Sequence, residues 1–176
     1  MKWRSFMLRG VKYSLDHLHD FTLSFTQPAK GENPERLYEV DAEFGLHCFT
    51  SGIGPGQAID PELKYCDSRE CRHFDVLRYE LSKQLPGIVA DLHQRKCFHS
   101  GKGNFFLVEM VSPHGKVEQY EIYFAVSRAS GGNGRLKLFV QSAYIRTYGH
   151  QPHRKPIGFY ILLYNIKEGK AIRIPK

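Results

Sequence analysis

Beyond Gly103 the chain is written almost entirely in the grammar of β-sheet, and this constrains its fold more than any other feature. Residues 104–111, 117–128, 135–147 and 157–166 are β-branched and aromatic runs. They are separated by Ser112-Pro113-His114-Gly115, by Ser130-Gly131-Gly132-Asn133-Gly134 and by residues 148–156. Short turns make neighbouring strands antiparallel, so the stretch predicts a four-stranded meander that forms the main sheet.

Two further β segments precede it. Phe21-Thr22-Leu23-Ser24-Phe25-Thr26 alternates apolar residues with hydroxyls, and residues 27–34 carry two prolines, a glycine and an asparagine where the chain should reverse. Residues 37–49 then alternate most cleanly, with Tyr38, Val40, Ala42, Phe44, Leu46 and Cys48 on one face and Glu39, Asp41, Glu43 and His47 on the other. After Asp67-Ser68, either of which could cap a helix, Phe74, Leu77, Leu81 and Leu85 recur at helical spacing. Pro86 should end or kink that helix, with Ile88, Val89 and Leu92 carrying another turn or two. The expectation is one α+β domain over residues 1–176: an N-terminal β-hairpin, a central amphipathic helix or kinked pair, then the four-stranded antiparallel meander.

Periodicity assigns the meander's faces. Tyr120, Ile122, Phe124 and Val126 share one face, as do Leu136, Leu138 and Val140, and both rows should pack on the helix. Ser142, Tyr144 and Arg146 continue the second row and carry it from core to rim, where polar groups can meet a ligand.

Charge is divided between the halves. Residues 1–92 hold 11 Lys/Arg against 14 Asp/Glu, a net −3, whereas residues 93–176 hold 14 against 4, a net +10. So lopsided a distribution suits a polyanionic partner, most often nucleic acid. No apolar run reaches the roughly 18 residues of a membrane span, and the basic opening residues have too short a hydrophobic centre for a secretory signal, so a soluble cytoplasmic protein without membrane contact is expected. Hydrophobic residues at 41% are enough for a sizeable core.

Motifs for cofactors are missing. Ser51-Gly52-Ile53-Gly54-Pro55-Gly56 lacks the lysine and following helix of a phosphate-binding loop, and there is no dinucleotide fingerprint. Cys66 and Cys71 stand five apart while Cys48 and Cys97 are isolated, which fits no zinc-finger spacing. Packed, inert thiols are the expectation, with neither metal nor disulfide. His17 and His19 read as a polar approach to the first strand.

The segment richest in chemistry is Tyr144-Ile145-Arg146-Thr147-Tyr148-Gly149-His150-Gln151-Pro152-His153-Arg154-Lys155. Arg and Lys suit phosphates, Tyr and His suit stacking on bases, and His suits proton transfer near neutral pH, a mixture that fits RNA or other single-stranded nucleic acid. Arg128, Lys137, Tyr148, His153, Arg154 and Lys155 are the expected nucleic-acid contacts. Metal-independent RNA cleavage needs a base, a cation at the phosphorane and an acid. His150 or His99, Arg146, and Tyr144 or the remaining His are the expected catalytic set.

Helical elements leading into a basic antiparallel meander over residues 74–166, with Tyr, Arg and His late in the chain, resemble the small metal-independent ribonuclease toxins of the RelE and barnase kind. That resemblance implies a bacterial endoribonuclease toxin held in check by an antitoxin protein. The N-terminal hairpin is extra to it, and it rests on the order of elements. Separately, Asp16-His17-Leu18, His47-Cys48-Phe49-Thr50 and Arg78-Tyr79-Glu80-Leu81-Ser82-Lys83-Gln84-Leu85-Pro86 resemble an uncharacterised bacterial family labelled stationary-phase growth adaptation proteins. The other function class is a non-catalytic module that binds nucleic acid, or docks a protein through Glu39, Asp41 and Glu43.

Overall fold

The computed structural model describes residues 2–54, 56–100, 103–131, 133–146 and 156–172. It is an α+β fold whose strands run in the order β1 (Phe6–Leu8), β2 (Val11–Tyr13), β3 (Phe21–Gln27), β4 (Arg36–His47), β5 (Thr50–Ser51), β6 (Lys64–Cys66) and β7 (Cys71–Phe74). Two short helices follow, α1 (Val76–Ser82) and α2 (Leu85–Ala90), then β8 (Cys97–His99), β9 (Phe105–Val111), β10 (Glu118–Arg128), β11 (Leu136–Ile145), β12 (Pro156–Ile157) and α3 (Phe159–Glu168). No helix among the described residues is long and apolar enough to cross a membrane.

Seven strands form the main sheet in the order β12-β8-β9-β10-β11-β4-β3. Every pairing in it is antiparallel except β11 with β4, which run parallel with Leu136 opposite Val40 and Val140 opposite Phe44. The N-terminal hairpin expected from the sequence is β3–β4, and it extends the meander's sheet. The helical pair also matches expectation, although its cap is Asp75, whose carboxylate accepts the Arg78 backbone N–H at 3.0 Å. Asp67 and Ser68 lie in the turn between β6 and β7 instead.

The fourth strand of the expected meander is a helix. Only Pro156–Ile157 pairs as a strand, on β8, and after Gly158 come the ten residues of α3. Phe159, Leu162 and Leu163 are buried and Ile166 packs against the core, a spacing of three and four that one helix face satisfies. Gly169 ends the helix at φ 68°, a left-handed conformation that costs glycine little.

The core lies between the helices and one sheet face. Tyr38, Val40, Ala42 and Phe44 of β4 and Ile122 and Phe124 of β10 are buried there, beside Leu138 and Val140 of β11. A smaller sheet, β5-β7-β6, and the β1–β2 hairpin join through an aromatic cluster: Phe6 stacks on Phe74 at 4.3 Å, Trp3 meets Phe49 edge-on at 5.1 Å, and Tyr13 meets Tyr79 at 5.1 Å. The Trp3 indole N–H donates to the Phe44 carbonyl at 3.1 Å and the Tyr65 hydroxyl to the Arg4 carbonyl at 2.8 Å, tying the N-terminal segment to both sheets.

Two expectations about local structure are corrected. Cys66 and Cys71, opposite one another in the β6·β7 pair, are joined by a disulfide. Antiparallel pairing sets them side by side, a juxtaposition that spacing alone did not reveal. Cys48 and Cys97 are buried free thiols, as expected, and burial pushes both up to about 12. The second correction is a bulge in β11. Val140 pairs with Phe124 but Ser142 pairs with Tyr123, so the extra residue reverses the alternation, and Tyr144 lies opposite Glu121. Ser142, Tyr144 and Arg146 therefore leave the apolar row for the outer face of the sheet.

Candidate functional site

The outer face carries the side chains that alternate with the core. Glu39, Asp41 and Glu43 of β4 stand beside Arg135 and Lys137: Arg135 pairs with Asp41, and the Lys137 ammonium lies 2.6 Å from Glu43. Thr22 of β3 donates to Asp41 at 2.8 Å and accepts from Arg135 at 2.8 Å. The acidic row expected to dock a partner thus answers Lys137, expected to contact nucleic acid, and Arg135 across the parallel joint.

Along β11 two adjoining hollows form one groove. The larger, about 780 Å³, has Glu43, Ala125, Ser127, Lys137 and Phe139 as its floor. Its walls are Lys2, Trp3 and Arg4 on one side and Tyr65 to Arg69, with the Cys66 end of the disulfide, on the other. The smaller, about 600 Å³, shares Phe139 and Arg69 with it and adds His47, Glu70, Gln141 and Ser142. Phe139 lies over Gly45, where an added Cβ would stand 3.1 Å from the ring and 2.9 Å from the Gln141 carbonyl oxygen. The groove floor exists because that position has no side chain.

The turn between β6 and β7 is held from within and from the sheet. Asp67 accepts the backbone N–H groups of Arg69 and Glu70 at 2.8 and 2.9 Å, and its own N–H donates to the Glu70 carbonyl at 3.0 Å. His47 Nε2 lies 2.7 Å from the Glu70 carboxylate, and this hydrogen bond is the largest influence holding that carboxyl below its ordinary pKa. Arg78 donates to the carbonyls of His47 and Thr50 at 3.3 and 2.8 Å, fixing the corner after β4, and its guanidinium sits 5.4 Å from the Tyr144 ring centre.

Past the groove the outer face becomes aromatic. Phe98, Phe106, Tyr123 and Tyr144, on four successive strands, stack at centroid separations of 5.5, 5.4 and 5.7 Å. Glu121, fully buried, accepts from Arg146 Nε at 2.5 Å and from the Tyr123 hydroxyl at 2.8 Å. Burial pushes the Tyr123 phenol up, with Tyr144 and Glu121 adding to it, while the Glu121 carboxylate holds the Arg146 guanidinium in its charged form.

The expected catalytic residues divide between the two faces. Tyr144 and Arg146 come together on the outer face with Tyr123 and Glu121, neither of which the sequence reading had singled out. His99 lies on the other side: its ring centre is 5.0 Å from that of Phe105, and Phe105 is 5.9 Å from Phe124, both pairs tilted, and its hollow is shared with Ile166 and Lys170. Alternation along β10 separates Tyr123 from Phe124, so His99 and Tyr144 do not share a concavity. Arg128 donates to the carbonyls of Ile166 and Lys167 at 3.1 and 2.9 Å, closing the end of α3. His150, Tyr148, His153, Arg154 and Lys155 lie outside the described residues. His17 meets the Ser82 hydroxyl at 2.8 Å and His19 the Trp3 carbonyl at 3.2 Å, both structural contacts.

Fold and groove together define an α+β protein with one sheet face packed on helices and the other open along a single strand. The chain belongs to the YjaZ family, whose family model matches residues 5–167. No curated protein and no solved structure matches the chain.

Proposed function

We propose that the protein binds single-stranded nucleic acid, RNA in the first instance, in the groove along β11, and that it does so without cleaving it. One observation carries the reading: a groove along β11 with the Phe139 ring on its floor and Lys2, Arg4 and Arg69 along its walls, beyond which the stacked rings of Tyr123 and Tyr144 continue the same face. Rings that every base can stack on, flanked by cations that follow a phosphate backbone, are what sequence-tolerant single-strand binding requires. From Lys137 to Arg146 this face, groove and aromatic rings together, runs about 30 Å at the strand rise, room for a site at the short end of the ~4–16 nucleotides that comparable folds cover.

Against cleavage stands the buried carboxylate. Glu121 is fully buried and already accepts from Arg146 and Tyr123, so it is engaged in holding those groups and not placed to take a proton from a 2′-hydroxyl. Arg146 is a positioning residue on this reading.

Fluorescence anisotropy of a labelled 12-nucleotide RNA tests it, alongside a DNA strand and a duplex. Binding should fall steeply from low to physiological salt, and Arg69→Ala should lower the salt slope by about 0.7. Phe139→Ala should weaken binding by about 5- to 150-fold, the worth of one stacked base. Incubation with total RNA in the presence of a chelator should leave the RNA intact. No binding at low salt would sink the proposal, and chelator-resistant cleavage abolished by Arg146→Ala would replace it with the ribonuclease reading.

A further inference from the structure

We propose that the Cys66–Cys71 disulfide is a redox gate on this groove: oxidised, it holds the wall in the arrangement that binds, and a dithiol reductant releases the wall and lowers binding. The proposal deepens the binding reading by naming how the same site is regulated, and its first readout does not depend on any ligand.

The disulfide closes a turn that forms part of the wall of both hollows. Asp67, Ser68 and Arg69 line the larger one and Arg69 and Glu70 the smaller. Besides the disulfide, the turn rests on its own short hydrogen bonds, from the Arg69 and Glu70 N–H groups to the Asp67 carboxylate and from the Asp67 N–H to the Glu70 carbonyl. The β6·β7 pair has three residue pairs, of which Cys66 with Cys71 is the outermost, and β5 joins the pair only at its far end, at His73 and Phe74, so the end that carries the turn is a two-stranded ribbon, marginal without a covalent link. From the main sheet the turn is held by the His47–Glu70 contact at 2.7 Å, between two side chains about two-fifths exposed. Cys66 and Cys71 are themselves half-buried, unlike the fully enclosed Cys48 and Cys97, so an attacking thiolate can reach them.

The chemistry balances as a two-electron exchange. A thiolate of the dithiol attacks one sulfur of the pair, giving a mixed disulfide and releasing the other cysteine as a thiolate, which takes a proton. The second thiol of the reductant then displaces the protein's remaining sulfur, leaving two cysteine thiols and the reductant as a cyclic disulfide. Freed of its outermost pair, the 67–70 turn loses its register, Glu70 parts from His47, and Arg69 no longer faces the channel.

The chain carries its own reporter. Trp3 is the sole tryptophan, is 7% exposed, and lies on the groove wall 6.2 Å from Tyr65, the neighbour of Cys66. Acrylamide quenching of Trp3 therefore reads access to the groove, and amide hydrogen exchange over residues 64–74 reads the turn. In the full-length protein, dithiothreitol should raise the quenching constant by about twofold and speed exchange at residues 66–71, with return on reoxidation. It should also weaken the RNA oligonucleotide by about tenfold through loss of the Arg69 contact. The variant Cys66→Ser with Cys71→Ser should match the reduced state and ignore reductant; if that variant does not fold, the reversible cycle of the parent carries the test alone. Identical quenching and exchange in both redox states would overturn the gate, as would an opened turn with unchanged binding. If the turn opens and Trp3 becomes accessible but the oligonucleotide binds neither state, the gate stands and the nucleic-acid reading falls.

Discussion

His17 illustrates how much a single contact can determine. The Ser82 hydroxyl gives its proton to the Tyr79 carbonyl at 2.7 Å, so its oxygen can only accept from His17, which must donate through Nε2. Burial holds this imidazole below its ordinary 6.5, and the nearby Lys83 adds to the effect. A base whose folded pKa is depressed carries fewer protons folded than unfolded. Stability attributable to His17 is therefore full above about 6.5, falls as pH drops through that value, and levels off once the folded ring protonates too. The melting temperature of the parent should drop between pH 7.5 and 5.5 more steeply than that of His17→Gln, whose amide can still donate to Ser82. Parallel slopes would show that the ring's burial is not felt by the fold. None of this was visible in Asp16-His17-Leu18-His19, because the partner lies 65 positions away.

At the scale of elements, β11 is the strand on which the site depends, and its bulge depends on Gly45. An alanine there would set its Cβ 2.9 Å from the Gln141 carbonyl oxygen and 3.2 Å from that of Val140, both backbone atoms that cannot swing aside. Gly45→Ala should cost about 1–3 kcal/mol in urea unfolding, the range for overpacking, and should displace Phe139 from the groove floor. An unchanged unfolding midpoint would mean that the bulge relaxes freely. The legibility of the elements follows the same division between local and distant causes. Strands β3, β4, β9 and β10 and the kinked helical pair could be read because period, turn residues and Pro86 act within a few positions. The bulge could not, since it answers to a glycine on another strand. Helix α3 was missed although its signal was present: Ile, Tyr and Phe gave residues 157–166 a β-rich composition, while Phe159, Leu162, Leu163 and Ile166 followed by Gly169 spelled a helix and its stop. The disulfide needed β6 and β7 to be recognised as a pair, and at three and four residues neither announces itself.

For the molecule as a whole, the acidic half and the basic half answer one another in part inside the fold. Glu39, Asp41 and Glu43 meet Arg135 and Lys137 where β4 lies against β11. Arg128 is likewise engaged, by the carbonyls at the end of α3, so the +10 of the second half overstates what a polyanion would find on the described surface. Glu43→Lys should lose about 0.5–1 kcal/mol by placing two cations side by side, and adding Lys137→Glu should recover most of it. A double-mutant cycle by chemical denaturation measures the coupling, and additive losses would mean that the two charges ignore one another. The parallel joint has a further consequence, for the order in which the protein can assemble. Each antiparallel neighbour in the main sheet except β12 with β8 is also the next or previous strand in the chain, but β4 must wait for a partner whose Leu136 pairs with its Val40, about 96 residues downstream. On a ribosome the β3–β4 hairpin emerges with one long edge unpaired and its apolar row of Val40, Ala42 and Phe44 uncovered. Synthesis must pass residue 145 before that edge is sealed, which makes the nascent chain most prone to mispairing at the strand that ends buried deepest.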